Sequence, residues 1–518
     1  MSGKVNEALY DLIQSMSKSE KRYFKLMSSR HTIGEENNYV RLFDFVDKQI
    51  TYDEEAIHAH FNGEAFLNRF SITKKRLYDH ILASLDSFHV SGSIEAQLFK
   101  QLHSADILFE KSLYDQSRRI LRSAEKLAAK HENSEVLLLI AKKQKRLLET
   151  GGYLETSKEK IEAIDIKEKK TLTSIGLYNK IWTIKSYLFA HLSKKGVARS
   201  TEEKVCYEEI CEALMLITDL EGVSTETKYL YHHTLSAYYY SIGDLQNSLF
   251  NLHKNLDLFE TSGEKKIEPN KKISAYTNAI YISDKIGHHK DSLVYLTKLK
   301  TLAKSVDSNE DLSIKLFSSV SSIEFSLCIR RGEFEGAKRI AVEVEKKLEE
   351  YGDKIVPIRR AFLEFKMAVA YMGIGEYNIA LKWVNRILND SNLDKTEDII
   401  GFTQLLDLLI HIELNHNKLL PYSLKSAQRF FKTRNRLYSF ERVFLQFIGK
   451  LIKCEDHFEV EDLWEELYNN LAEVTDDTFE SVALEYFDFK AWAESKRKRK
   501  SFDSVVREKY YSTTRTAC

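Results

Sequence analysis

Along the second half of the chain, apolar residues recur at helical spacing in paired blocks, and a glycine separates the two members of each pair. Gly243, Gly287, Gly332 and Gly375 stand 44, 45 and 43 residues apart, within "AYYYSIGDLQNSLFNLHKNL", "YISDKIGHHKDSLVYLTKLK", "FSLCIRRGEFEGAKRIAVEV" and "AYMGIGEYNIALKWVNRIL". A helix ends at least cost on a left-handed residue, which glycine supplies without a Cβ clash. Two residues after each glycine comes a packing position: Leu245, His289, Phe334 and Tyr377. Three further on is a small one (Ser248, Ser292, Ala337, Ala380), and four beyond that are Leu252, Leu296, Ala341 and Val384. Small side chains let two helices approach closely, and this spacing keeps all three positions on one face. The pattern predicts an all-α chain whose body, residues 93–492, is an α-solenoid of stacked helical hairpins.

The order glycine, acidic or polar residue, aromatic, two residues, alanine resembles the turn of tetratricopeptide repeats, most clearly in "YMGIGEYNIALKWVNRIL". Four units over 225–390 carry the resemblance, with weaker ones around Tyr114 with Ser117 and around Leu420 with Ser423. Tyr114 and Leu245 are 131 residues apart, close to three periods, so 150–225 is expected to hold degenerate units with an insertion near 194–203. The family's usual period is about 34 residues, and its closing proline is absent here. The long-helix variants therefore fit better, with helices of about 18–20 residues, or ~27–30 Å. The resemblance implies a concave surface lined by the first helix of each hairpin. Its groove positions would be His233 and Tyr240, Tyr281 with Asp284 and Lys285, Ser326 and Arg330, and Val369 with Met372. Aromatics that anchor and charges that set direction suit capture of a peptide or helix. The plainer alternative is that several of them pack against the next repeat.

Residues 1–92 do not keep the period and read as a helical head. "SKSE" at Ser17–Glu20 forms a capping box, and Leu77, Ile81 and Leu85 stripe one side of a later helix. Lys18, Lys21, Arg22 and Lys25 lie at i, i+3, i+4 and i+7, a basic stripe that would meet phosphates or an acidic partner, or would simply be a solvated face. Residues 1–90 hold 12 basic and 13 acidic side chains, which favours the second account. "SEKRYFKL" is similar to the head of a group of bacterial helical-repeat proteins, a resemblance that brings no activity with it. A helical head on such a body also resembles the plan of peptide-sensing transcriptional regulators, with "TKKRLYDHILASL" as the reading helix. Asp79, the apolar stripe and the lack of a small or glycine turn stand against that.

Composition changes the picture less than pattern does. Only three of 518 residues are proline, against a usual share of roughly 5%, which permits long helices. Lys+Arg and Asp+Glu are both 77, so wholesale coating of nucleic acid is not expected. Charge segregates near the C-terminus: 421–453 hold eight bases and one acid, 455–488 thirteen acids and no Lys or Arg, and 489–518 nine bases and three acids. These blocks would neutralise each other across stacked helices or dock a charged partner. "RFFKTRNRLYSF" interleaves bases with aromatics as single-strand RNA binders do, although aromatics in a solenoid are more often core. Residues 493–518, with "KRKRK", read as a basic, partly flexible tail.

No run approaches the ~18–20 apolar residues of a membrane span, and "MSGKVNEALYDLIQ" lacks the apolar core of a secretory signal. Five scattered cysteines suit a reducing, cytoplasmic setting. The G-x-G of "MGIGEY" falls in a repeat turn, and no phosphate loop, nucleophile elbow or H-E-x-x-H is present. The histidines (His58 and His60, His232 and His233, His288 and His289, His411 and His416) are not spaced as ligands, so no metal, cofactor or catalytic group is predicted. The leading expectation is a non-enzymatic cytoplasmic scaffold that binds a protein or peptide in its groove. A peptide-sensing regulator and a ribonucleoprotein adaptor follow, with nucleic acid not favoured as a partner.

Overall fold

In the computed structural model, which describes residues 7–29, 38–90, 92–153, 156–261, 267–304, 310–393, 398–454, 457–477 and 479–516, every regular element is helical. The chain divides into two units, Met1–Leu172 and Thr173–Cys518. The division falls inside the 38-residue helix Lys158–Lys195, not at the end of the head.

In the first unit, the head gathers Ile13, Phe24, Leu42, Phe43, Ile57, Leu77 and Ile81 into one core. Its capping box closes in both directions: the Ser17 amide donates to Glu20 at 2.6 Å and the Glu20 amide to Ser17 Oγ at 3.3 Å. A separate core joins the helices Ile94–Glu110, Tyr114–Lys130 and Ser134–Thr150. There Ser117 is small enough for its hydroxyl to reach the Ala105 carbonyl of the facing helix at 2.8 Å.

The second unit is an α-solenoid of stacked helical hairpins. Leu245, His289, Phe334, Tyr377 and Leu420, the packing positions of the repeat, are the first residues of its second helices. The four repeat glycines stand at φ +81°, +87°, +69° and +81°, which is why the turn recurs on glycine. Ser248, Ser292, Ala337 and Ala380 are all buried at the crossings, and Ser248 Oγ donates to the Ser236 carbonyl at 2.8 Å. Helices of the five hairpins run from 12 to 21 residues, 17 in each helix of the first hairpin.

These hairpins, between Thr225 and Thr433, curl until the chain before them meets the chain after them. The stretch expected as an insertion is the closing clasp. Arg199 pairs with Glu441 and, at 2.9 Å, with Glu480; Arg436 pairs with Asp398 and donates to the Lys194 carbonyl. Tyr438 donates to Glu203 at 2.6 Å and lies beneath the Arg199 guanidinium. Gly196, at φ +73°, passes so close that a Cβ would stand 1.8 Å from an Asp398 carboxylate oxygen.

Two expectations change. Residues 493–518 are not a flexible tail over their described length: Phe489–Lys498 and Phe502–Thr516 are helices, with Phe489 and Trp492 buried. Each base of "KRKRK" meets an acid of the chain: Lys496 with Glu413, Arg497 with Glu465, Lys498 with Glu494, Arg499 with Glu461 and Lys500 with Glu508. The acidic block is met from its flanks by Lys450 with Glu466, Arg497 with Glu465, Arg499 with Glu461 and Lys509 with Asp488, and Phe430, Phe431 and Phe440 of "RFFKTRNRLYSF" are core. One described helix, Glu310–Arg330, does have the length and mean hydropathy (1.4) of a membrane span. Here it is the first helix of the third hairpin, with Leu312, Leu316, Ile323 and Phe325 buried against its neighbours.

Candidate functional site

Three consecutive first helices, Pro269–Lys285, Glu310–Arg330 and Pro357–Gly373, converge on the inner face of the second unit. They bring six of the nine groove positions, Tyr281, Asp284, Lys285, Ser326, Arg330 and Val369, to one cavity of about 1220 Å³. The opposite wall is also this chain. The 3-10 turn Glu480–Glu485 and the residues after it supply Leu484, Glu485, Tyr486 and Phe487, and the last helix adds Phe502, Val506, Lys509 and Tyr510. Tyr486 is pinned by stacking on Phe402, ring centroids 3.9 Å apart and 14° from parallel, and by an edge contact with Phe365.

The cavity charges are largely matched across these walls. Glu485 accepts from the Tyr281 phenol at 2.5 Å and pairs with Lys285. Burial, reinforced by Tyr240 and Glu485, holds the Tyr281 phenol far above its usual range, so it stays a proton donor. Asp284 bridges two hairpins, receiving Arg330 from one side and His289 Nδ1 at 2.8 Å from the other. Lys509 pairs with Asp488 at 2.6 Å.

The other predicted positions lie elsewhere or meet the chain itself. Tyr240 stacks edge-on against Tyr281, 6.2 Å between centroids, beside Glu485 and outside the cavity lining. His233 lies outside the lining of this cavity. It packs between Tyr229 and Phe189, and burial, with Lys185 adding to it, pushes its imidazole down to about 4. Phe189 belongs to the helix Lys158–Lys195, which has no repeat signature. Met372 is buried and lines a different, smaller cavity with Gly375 and Arg507, which shares Phe334 and Phe502 with the first. On the head, Lys18, Lys21, Arg22 and Lys25 do share a face, but Lys21 pairs with Asp47 at 2.6 Å and Lys25 with Asp44 at 2.5 Å. Lys74 of the "TKKRLYDHILASL" helix pairs with Glu54 at 2.8 Å. His411 and His416, expected to be misaligned, bring their Nδ1 atoms within 3.0 Å across a helix end. No cluster of three metal-ligating side chains occurs among the described residues.

Sequence reasoning missed Lys366 and the whole opposing wall. Lys366 had a signal, since it precedes Val369 by three residues and so shares its helix face. Glu485 lay in the acidic block, but nothing in that block's composition says where it returns.

No protein-family model matches the chain, and no curated protein matches it. Among solved structures it is similar to NprR in complex with its cognate peptide NprX, at 15% identity and a TM-score of 0.41, over 69% of this chain and 96% of that one. It is similar to the apo form of RapI, at 13% identity and a TM-score of 0.38, over 78% and 99%. A third is a Signal Transduction ATPase with Numerous Domains protein with a tetratricopeptide repeat sensor from Pyrococcus horikoshii, at 15% identity and a TM-score of 0.33, over 84% and 55%.

Proposed function

We propose that the chain is a non-enzymatic cytoplasmic scaffold that binds a protein or peptide segment in the cavity on the inner face of its second unit. The observation that carries this reading is the convergence of Tyr281, Asp284, Lys285, Ser326, Arg330 and Val369, from three successive hairpins, on one space. At about 1220 Å³ that space exceeds the ~300–1,000 Å³ of ordinary small-molecule pockets. Its walls alternate apolar surface with charge, the mixture that anchors a peptide and fixes its direction. The chain's own Glu485 and Tyr486, seated against the same helices, illustrate how an acidic and aromatic segment is held there.

The test is affinity capture from the native cell with nuclease present, comparing the wild-type chain with Ser326→Arg, which places a long side chain into the cavity. A stoichiometric protein recovered by the wild type and lost by the variant, at equal helicity by circular dichroism, supports the scaffold. A partner retained by Ser326→Arg moves the site off the inner face. Recovery that collapses with nuclease in the wild type transfers the function to the basic surfaces.

A further inference from the structure

The inner cations of the cavity are not all matched. Lys285 has Glu485, Arg330 has Asp284 and Lys509 has Asp488. Lys366 lines the same cavity, is half-buried, and makes no hydrogen bond or ion pair among the described residues. An ammonium group has three donors and no acceptor, and removing it from water is costly unless an anion meets it. Burial, with Arg330 nearby and Glu485 pulling the other way, brings the Lys366 ammonium down to about 8, which leaves it charged at neutral pH. Lys290, also unmatched, stands exposed at the rim.

We propose that the ligand presents a carboxylate to Lys366, making this lysine the specificity-determining residue for an acidic peptide; the inference rests on the cavity being the ligand site. One half-buried cation without an ion pair calls for one negative charge. Asp284 and Glu485 stand on the adjacent walls, so a dianionic phosphate would meet about twice the repulsion that a singly charged carboxylate meets. Ile329, Val369, Phe334, Leu484 and Phe502 line the rest, and a free small anion would leave that apolar surface uncovered. An aliphatic or aromatic residue next to the carboxylate covers it. A peptide C-terminus and an Asp or Glu side chain offer the same group.

Four fluorescein-labelled random hexapeptide pools separate these cases: free or amidated C-terminus, each with one fixed Glu or one fixed Gln. Binding to the full chain is read by anisotropy. The wild type is expected to prefer a carboxylate-bearing pool over the amidated Gln pool by about tenfold or more, the scale of one charge-assisted hydrogen bond. Which pool carries the preference identifies the source of the carboxylate. Lys366→Met should abolish the preference without weakening the amidated Gln pool, and Lys366→Arg should keep it. Should Lys366→Met not fold, Lys366→Gln takes its place against Lys366→Arg. Equal binding of all pools by the wild type, or a preference that survives in Lys366→Met, overturns the inference and leaves the cavity as a ligand site. Binding of no pool by the wild type counts against the cavity itself, and the inference falls with it.

Discussion

The inner face of the second unit places charges in two regions to opposite ends. At the clasp, Arg199 and Arg436 each reach a carboxylate across more than 30 residues of sequence, and Glu480 also accepts from the Ser439 and Phe440 amides at 2.9 and 3.0 Å. Arg199 and Glu441 are both buried, and the cations of that region meet carboxylates supplied by the fold. At the cavity the same kinds of residue border an open volume, and one half-buried cation, Lys366, makes no ion pair among the described residues. A buried charge that the chain itself completes closes a structure. A charge on a cavity wall that the chain leaves incomplete points to something outside it.

The largest effect should come from the clasp. Arg199→Met strands Glu441, 1% exposed, without its partner, and should cost about 3–5 kcal/mol in urea unfolding. The double variant Arg199→Met/Glu441→Leu should regain most of that, because an apolar pair replaces the charges. A single-variant cost below about 1 kcal/mol would mean that the ring is closed by something else. Gly196→Ala should be next. The left-handed backbone alone costs about 1–2 kcal/mol for a residue with a Cβ, and here that Cβ also collides with Asp398. A lowered midpoint in a thermal melt reads it.

The cavity should respond with the opposite sign. Lys366 titrates near 8 when folded and near 10.5 when unfolded, so between these values the unfolded chain holds a proton the folded chain has lost. Wild-type stability therefore rises with pH across that window, and the penalty is complete below pH 8. Lys366→Met should stabilise the ligand-free chain at pH 7 by about 1–2 kcal/mol, allowing for its partial exposure. The gain should vanish above pH 10.5, as paired denaturation curves at the two pH values would show. The smallest effect belongs to the head: Lys18→Ser/Arg22→Ser, at two exposed sites, should change stability by less than about 0.5 kcal/mol.

Much of the fold was legible because one physical constraint repeats. Each turn needs a left-handed residue and each crossing a small one, so Gly243 to Gly375 and Ser248 to Ala380 mark the hairpins, and Leu245, His289, Phe334 and Tyr377 prove to begin the second helices. His233 stands apart from the cavity, packed against Phe189 of a helix without the repeat, which no periodicity in its own hairpin reveals. The tail was misread because "KRKRK" looks solvated, whereas Phe489, Trp492 and Phe502 around it supply the apolar anchors. The cavity was half legible. Its solenoid wall follows from register, but Glu485 returns to Lys285 across 200 residues, a contact set by the curl of the whole unit and carried by no local spacing.

The most direct measurement is hydrogen–deuterium exchange of the full chain with and without its captured partner. Protection is predicted to concentrate in the turn Ile286–His289 and in residues 484–488, the irregular backbone that borders the cavity. Protection confined to the head, with these two segments unchanged, would contradict the account.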